Sequence, residues 1–253
     1  MGAASLLVSV RSPDDSKRCG LVVAYTSMKH SHTREKLLAI FDTLHTAFGP
    51  RHWWPGDSPL EVMVGAILTQ NTSWRNVERA IANMKKWRVL DMEVLFRIGE
   101  EDLAEIIRPA GFYRIKSRRL KAFIADFQER FDGLIEHTAA VPTGELRDYL
   151  LAVNGIGPET ADSILLYALD RPVFVVDAYT KRFLKHHGLY DGDYEYHHIQ
   201  KFFMDNLPRD TYIFNEFHAL IVRLCQEHCK KRPDCSLCPV SGEDVRARLH
   251  AAG

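Results

Sequence analysis

The stretch from Leu150 to His186 constrains this 253-residue chain more than any other. Apolar residues recur at helical spacing up to Asn154-Gly155-Ile156-Gly157, stop there, and resume after Pro158, which stands where a first-turn proline is tolerated. Two glycines two apart between helices predict a tight hairpin, because glycine adopts positive φ without the penalty a Cβ brings. Such a hairpin turns several backbone N–H groups the same way, and the second helix adds its positive dipole end. Gly155 and Gly157 are therefore candidates for holding one phosphate of a nucleic acid backbone. Taken alone, a Gly-x-Gly between helices is equally well an ordinary helix turn. The sequel narrows the reading: the apolar run Val173 to Val176 delivers Asp177 to the start of a further helix.

The rest of the chain is written in helical period. Residues 1–31 show no sustained period and are expected to form a poorly ordered extension, with Met28 an alternative start. From Thr33 onward Leu37, Leu38, Ile40, Phe41, Leu44 and Phe48 recur at three and four. Further helices are predicted over 59–70, 73–87, 100–107, 117–131, 145–153, 159–169, 178–186, 194–206 and 214–225. Val173 to Val176 is too short to found a sheet, so the fold is expected to be all-α.

Lys plus Arg equals Asp plus Glu at 33 each, so net charge announces no nucleic acid partner, and a DNA-binding face must come from local segregation. No apolar stretch reaches the roughly eighteen residues a membrane span needs. Leu6 to Val10 is too short for a signal-peptide core, and Leu6 occupies the place where myristoylation wants Ser or Thr. Four of the five cysteines crowd between Cys225 and Cys238, which points to a metal or cluster site in a reducing compartment over dispersed disulfides.

Asn-Gly-Ile-Gly-Pro-Glu-Thr-Ala at 154–161, followed by Val-Val-Asp-Ala-Tyr-Thr-Lys-Arg at 175–182, resembles the helix-hairpin-helix and catalytic aspartate of the endonuclease III superfamily of DNA glycosylases. The resemblance runs from about Thr33 to about Val240. It implies a six-helix lobe over residues 52–171 ending in the hairpin, and a second lobe from 32–51 plus 172–253. It also implies a partner, damaged double-stranded DNA, lying across the groove between them with Asp177 at its mouth. The protein would work as a monomer in the cytoplasm, at the nucleoid. Asp177 reads locally as an N-cap. The resemblance adds that its carboxylate faces C1′ and stabilises the positive charge that builds on the sugar as the base leaves.

Trp53-Trp54-Pro55 and the later Gln70-Asn71-Thr72 with Trp74 resemble the 3-methyladenine glycosylase branch. Core plugs are the alternative for two adjacent tryptophans. By the resemblance, Trp53, Trp54, Pro55 and Trp74 line the pocket for an extruded base, and Gln70 fills the gap left in the duplex. Glu159 departs from the pattern of bifunctional members, which carry a lysine there as Schiff-base nucleophile, so a monofunctional hydrolytic enzyme is implied. Lys181, one turn beyond Asp177, is a candidate phosphate contact and the one nearby amine. The cysteines follow Cys225-x3-Cys229-x5-Cys235-x2-Cys238, against the superfamily's C-x6-C-x2-C-x5-C. Three match nearly, and Cys225 could replace the missing fourth ligand of a [4Fe–4S] cluster, with zinc or no metal as alternatives. The expected activity is excision of alkylated purines. Its rivals are a glycosylase for a mismatched or deaminated base, a bifunctional glycosylase/lyase, and a protein that binds damage without cutting.

Overall fold

The structure, a computed structural model, describes residues 15–241, with side chains described from residue 32 onward. Among the described residues all regular structure is helical, as the period predicts. Helix α1 (Asp15–Phe48) is followed by α2 (Pro59–Leu68), α3 (Trp74–Lys86), α4 (Met92–Arg97), α5 (Glu100–Ile106), α6 (Tyr113–Phe131) and α7 (Thr143–Ala152). The hairpin leads into α8 (Pro158–Ser163), and after it come α9 (Ala178–His187), α10 (Tyr196–Asn206) and α11 (Thr211–Glu227).

Local chemistry sets the helix starts. Ser58 Oγ accepts from Glu61 N at 3.2 Å and Pro59 takes the first position of α2, while Asp91 and Asp210 cap α4 and α11 the same way. Helix α2 is buried from Leu60 to Leu68, whereas α3 hides only Val77, Ala80, Ile81 and Met84, one stripe of an amphipathic helix. The buried apolar side chains form two clusters. One is built by α2 to α8 around Met63, Ile67, Phe123 and Ile164; the other joins α1 to α9, α10 and α11 around Ile40, Phe174, Phe203 and Phe217.

The handover between clusters falls at the end of α8. There the chain widens into a π-turn, Ile164–Ala168, closed by Leu169 N on Ile164 O at 3.1 Å. Ile164 and Leu165 stay in the first cluster, Leu166 enters the second, and Tyr167 packs against that second cluster. The extended run after it is held by side chains: Gln200 Nε2 donates to Phe174 O at 2.8 Å and to Asp162 Oδ2 at 2.7 Å. Asp162, fully buried, also takes two bonds from Arg147 at 2.7 and 3.1 Å, so α7, α8, α10 and the run share one satisfied polar network.

Several expectations change. The N-terminal extension, expected to lack order through residue 31, is helical from Asp15, because a helix already nucleated over Thr33–Phe48 lengthens without a second nucleation cost. Residues 1–14 and 242–253 lie outside the described residues. Helix α6 starts at Tyr113, not 117. Its Lys116 is buried to 2% exposure, with Nζ donating to Ala110 O at 2.7 Å, since a lysine stem packs like an apolar chain. Burial, helped by the Arg119 charge, lowers that amine to about 8. The six residues of α4 are too few for a period to register. Helix 159–169 is in fact α8 plus the π-turn.

Candidate active site

The hairpin meets one of its two glycine expectations. Gly155 has φ +88°, and a Cβ there would fall 2.5 Å from the Arg119 side chain, so both conformation and space demand glycine. Gly157 is extended (φ −96°, ψ 177°), a conformation any residue adopts, and its missing Cβ would face open space. Helix α8 then begins without a side-chain cap. Gln70 is tied to this turn: its Nε2 donates to Gly155 O and to Thr160 Oγ1, each at 3.0 Å, and its Oε1 accepts from Arg119. The structure thus brings Gln70, Arg119 and the hairpin together.

Asp177 caps α9. Its Oδ1 accepts from Thr180 N at 2.7 Å and Thr180 Oγ1 at 3.0 Å, and the side chain is 14% exposed. Oδ2 faces His218 Nε2 at 3.6 Å. Burial alone would raise this carboxyl, but attraction to His218 and the two Thr180 donors outweigh it and hold it below the usual range. On its other side His218 shares a 2.6 Å hydrogen bond between Nδ1 and the Tyr167 hydroxyl. Desolvation, with Asp177 and Glu159 adding to it, lifts that phenol well above its ordinary value. Glu159, in the first turn of α8, is pushed up by desolvation and by Asp177, while His218 and Lys181 pull it back. Lys181 is half-buried on the first turn of α9, in the same electrostatic neighbourhood.

Three indoles stand beside this group. Trp53 lies 5.4 Å from Trp54 and 5.6 Å from Trp74, and Trp54 meets Trp74 edge-on at 5.0 Å. Trp54 and Trp74 rest on the first cluster, and Gly65 admits the Trp54 indole, whose Nε1 would be 3.2 Å from a Cβ there. All three remain half-buried and Pro55 is exposed, so core packing describes only one side of the group. Trp54 continues to Tyr167 at 5.3 Å, which makes one contact path from the indoles through Tyr167 and His218 to Asp177. Glu216, buried on α11, accepts from Arg51 N and His52 N at 2.7 Å each and so fixes the backbone leading to Trp53.

Sequence reasoning did not single out Tyr167, His218 or Glu216. The available signal was a polar residue inside an apolar helical run, since a buried hydroxyl, imidazole or carboxylate needs a partner.

The cysteines gather at the end of α11. Cys225, Cys229 and Cys238 are buried and Cys235 is exposed. The Cys225 thiol donates to Tyr179 O at 3.5 Å and neighbours Cys229, whose own thiol meets His186 Nδ1 at 3.2 Å and His187 Nε2 at 3.9 Å. These donors pull the Cys229 thiol down against the effect of burial, and Cys225 is correspondingly pushed up. Thiols of this kind suit a thiolate-bound group chemically. Among the described residues, no three His, Cys, Asp or Glu side chains converge on a point that would hold a metal ion.

Comparison with known proteins agrees with this architecture. Residues 64–209 match the HhH-GPD superfamily of base excision DNA repair proteins. A candidate DNA repair glycosylase of Methanocaldococcus jannaschii is 47% identical over 208 residues, 81% of this chain and 94% of its own. The thymine/uracil-DNA glycosylase of Pyrobaculum aerophilum is 25% identical over 75% of this chain and 80% of its own. Among solved structures, the H. pylori 3-methyladenine DNA glycosylase bound to 1,N6-ethenoadenine superposes with a TM-score of 0.68 at 28% identity, covering 77% of this chain and 97% of that one. Relatives that differ in lesion thus share the fold. With more than half of its length matched and a near full-length relative at 47% identity, the chain belongs to the helix-hairpin-helix, endonuclease III superfamily and is a DNA glycosylase of base excision repair.

Proposed function

We propose that this glycosylase removes alkylated purines of the 3-methyladenine type by direct hydrolysis, leaving the strand whole. The observation that carries the reading is the group of three half-buried indoles joined through Tyr167 and His218 to a partly buried Asp177 whose carboxyl is held below the usual range. Similarity to the H. pylori 3-methyladenine glycosylase supports the same substrate class.

An extruded purine would stack among Trp53, Trp54 and Trp74, beside Pro55. A cationic alkylated ring is attracted by the indole faces and departs as a neutral base, so no proton need be supplied to it. As the C1′–N bond breaks, its electron pair goes to the base and positive charge grows on the sugar, where the Asp177 carboxylate stabilises it. Water then attacks C1′ and releases a proton. Glu159 cannot form the Schiff base that an amine at this position would form. The hairpin N–H groups around Gly155 and Gly157, with Lys181, would hold phosphates, and Gln70 would leave its hairpin partners to enter the duplex. Cys225, Cys229, Cys235 and Cys238 would hold a [4Fe–4S] group, which supplies a brace for the loop carrying Lys230, Lys231 and Arg232. About four irons per chain are expected in anaerobically purified protein, and iron-free protein of full activity would end that assignment. No helix among the described residues is long and apolar enough to cross a membrane.

Duplexes carrying single lesions test the reading. Under single turnover, 3-methyladenine and 7-methylguanine should be excised ahead of uracil or mismatched thymine. Strands should break only after alkali, and borohydride should trap no adduct. Preference for a deaminated or mismatched base overturns the substrate class. A lesion-dependent trapped adduct overturns the hydrolytic route and makes Lys181 the amine to replace.

A further inference from the structure

We infer that His218 is a positioning residue for Asp177, kept by Tyr167 in the one tautomer that presents an N–H to the carboxylate. The inference rests on the assignment of Asp177 proposed above.

His218 Nε2 is buried and has no hydrogen-bond partner, an uncommon condition for a polar atom in a folded protein. It points at Asp177 Oδ2 from 3.6 Å, just beyond hydrogen-bond reach, and contacts of this sort tighten when substrate closes the site. Both Thr180 donors go to Oδ1, so the helix cap anchors one carboxylate oxygen and leaves Oδ2 to be oriented from elsewhere. His218 is the group in place to do so.

Tyr167 decides which nitrogen carries the proton. Its hydroxyl lies 2.6 Å from His218 Nδ1. With a neutral ring, a phenol that donates to Nδ1 goes with the imidazole proton on Nε2, whereas the reverse roles would aim the Nε2 lone pair at Asp177 Oδ2. With a charged ring, Nδ1–H donates to the phenol oxygen and Nε2 still carries its own proton. In either state a donor faces Asp177. Without the phenol, only the carboxylate at 3.6 Å favours the proton on Nε2, and the neutral ring loses part of its preference for that tautomer. Because Tyr167 also touches Trp54 at 5.3 Å, the wall that receives the base and the arm that orients the carboxylate share one side chain.

The test compares His218→Leu, His218→Gln and Tyr167→Phe with Asp177→Asn as reference. It reads single-turnover excision alongside affinity for a duplex with a tetrahydrofuran abasic analogue. His218→Leu should slow excision by roughly 30-fold or more, in the range of lost acid–base or donor contacts, with affinity unchanged within about twofold. The Gln amide N–H reaches nearly the same place, so His218→Gln should recover most of the rate. Tyr167→Phe should cost about three- to tenfold. Imidazole 15N spectra should put the neutral ring's proton on Nε2 in wild type and on both nitrogens in Tyr167→Phe. A wild-type proton on Nδ1 overturns the inference, and that spectrum decides the matter even where His218→Leu does not fold. So does a folded His218→Leu that excises within about twofold of wild type, or a Gln variant as slow as Leu. If Asp177→Asn itself stays active, the assignment of Asp177 falls first. If it is inactive while the His218 variants are normal, only the inference falls.

Discussion

Helices α8 and α9 both begin beside a carboxylate in the same cleft, and the two carboxyls are driven in opposite directions. Asp177 is the more enclosed, yet it is held below the usual range, because Thr180 supplies two donors and His218 a third group. Glu159 belongs to the more exposed residues, yet it is raised, because desolvation and Asp177 act on it and no capping hydrogen bond offsets them. Supply of donors, more than depth, decides which acid stays charged. One site thus contains a carboxylate fixed as an anion and another that resists becoming one.

The largest effect that could break this contrast is at Asp177. Asp177→Asn keeps an oxygen for Thr180 but loses the charge, so single-turnover excision should fall at least about 100-fold, roughly 2.7 kcal/mol in barrier, with abasic duplex still bound. A loss within about tenfold would leave Asp177 a cap and nothing more. The indoles come next. Trp53→Ala should weaken excision of cationic purines by the roughly 1–3 kcal/mol of a stacked base and barely move Tm. Trp54→Ala should lower both, since that ring also rests on the first cluster. Equal Tm losses without any specific loss of excision would return the tryptophans to a packing role.

The smallest effect is in stability. A carboxyl raised on folding, as in Glu159, costs nothing at a pH below its unfolded value, and the cost grows as pH rises through the unfolded and then the folded value. Glu159→Gln should therefore raise Tm slightly at pH 7 and leave it unchanged near pH 3. Asp177, lowered on folding, contributes stability above its unfolded range and loses it as pH falls through the folded value, so Asp177→Asn should lower Tm at pH 7 and less so in acid. A Glu159→Gln variant that melts earlier at pH 7 would contradict the opposed behaviour of the two acids.

What sequence could reveal follows from the range over which each feature is specified. The hairpin, Asp177 as a cap and the pair Trp53-Trp54 are written in a few adjacent residues, and all appear where their local chemistry puts them. Gly157 misleads because its spacing from Gly155 looks conformational while its φ is negative. Tyr167 was hidden by the π-turn: its direction departs from the 3.6-residue period that places side chains on a helix. His218 and Glu216 sit on α11, in the second cluster, and meet Asp177 and the Arg51-His52 backbone only after the two clusters dock. No pattern within one segment encodes such contacts. Lys116 escapes a sequence reading for a further reason, since charge on a letter does not say whether its stem is buried.

The grip of Glu216 gives the molecule a built-in reporter. The tryptophan loop hangs between two cores, with Trp54 and Trp74 resting on one while the backbone before them is latched to a helix of the other. Residues 51 and 52 lie outside any helical ladder, so protection of their amide protons from solvent exchange depends on that carboxylate. Two amide signals in an otherwise irregular loop would therefore register how often α11 lets go, and with it how long the receiving wall for a base stays assembled.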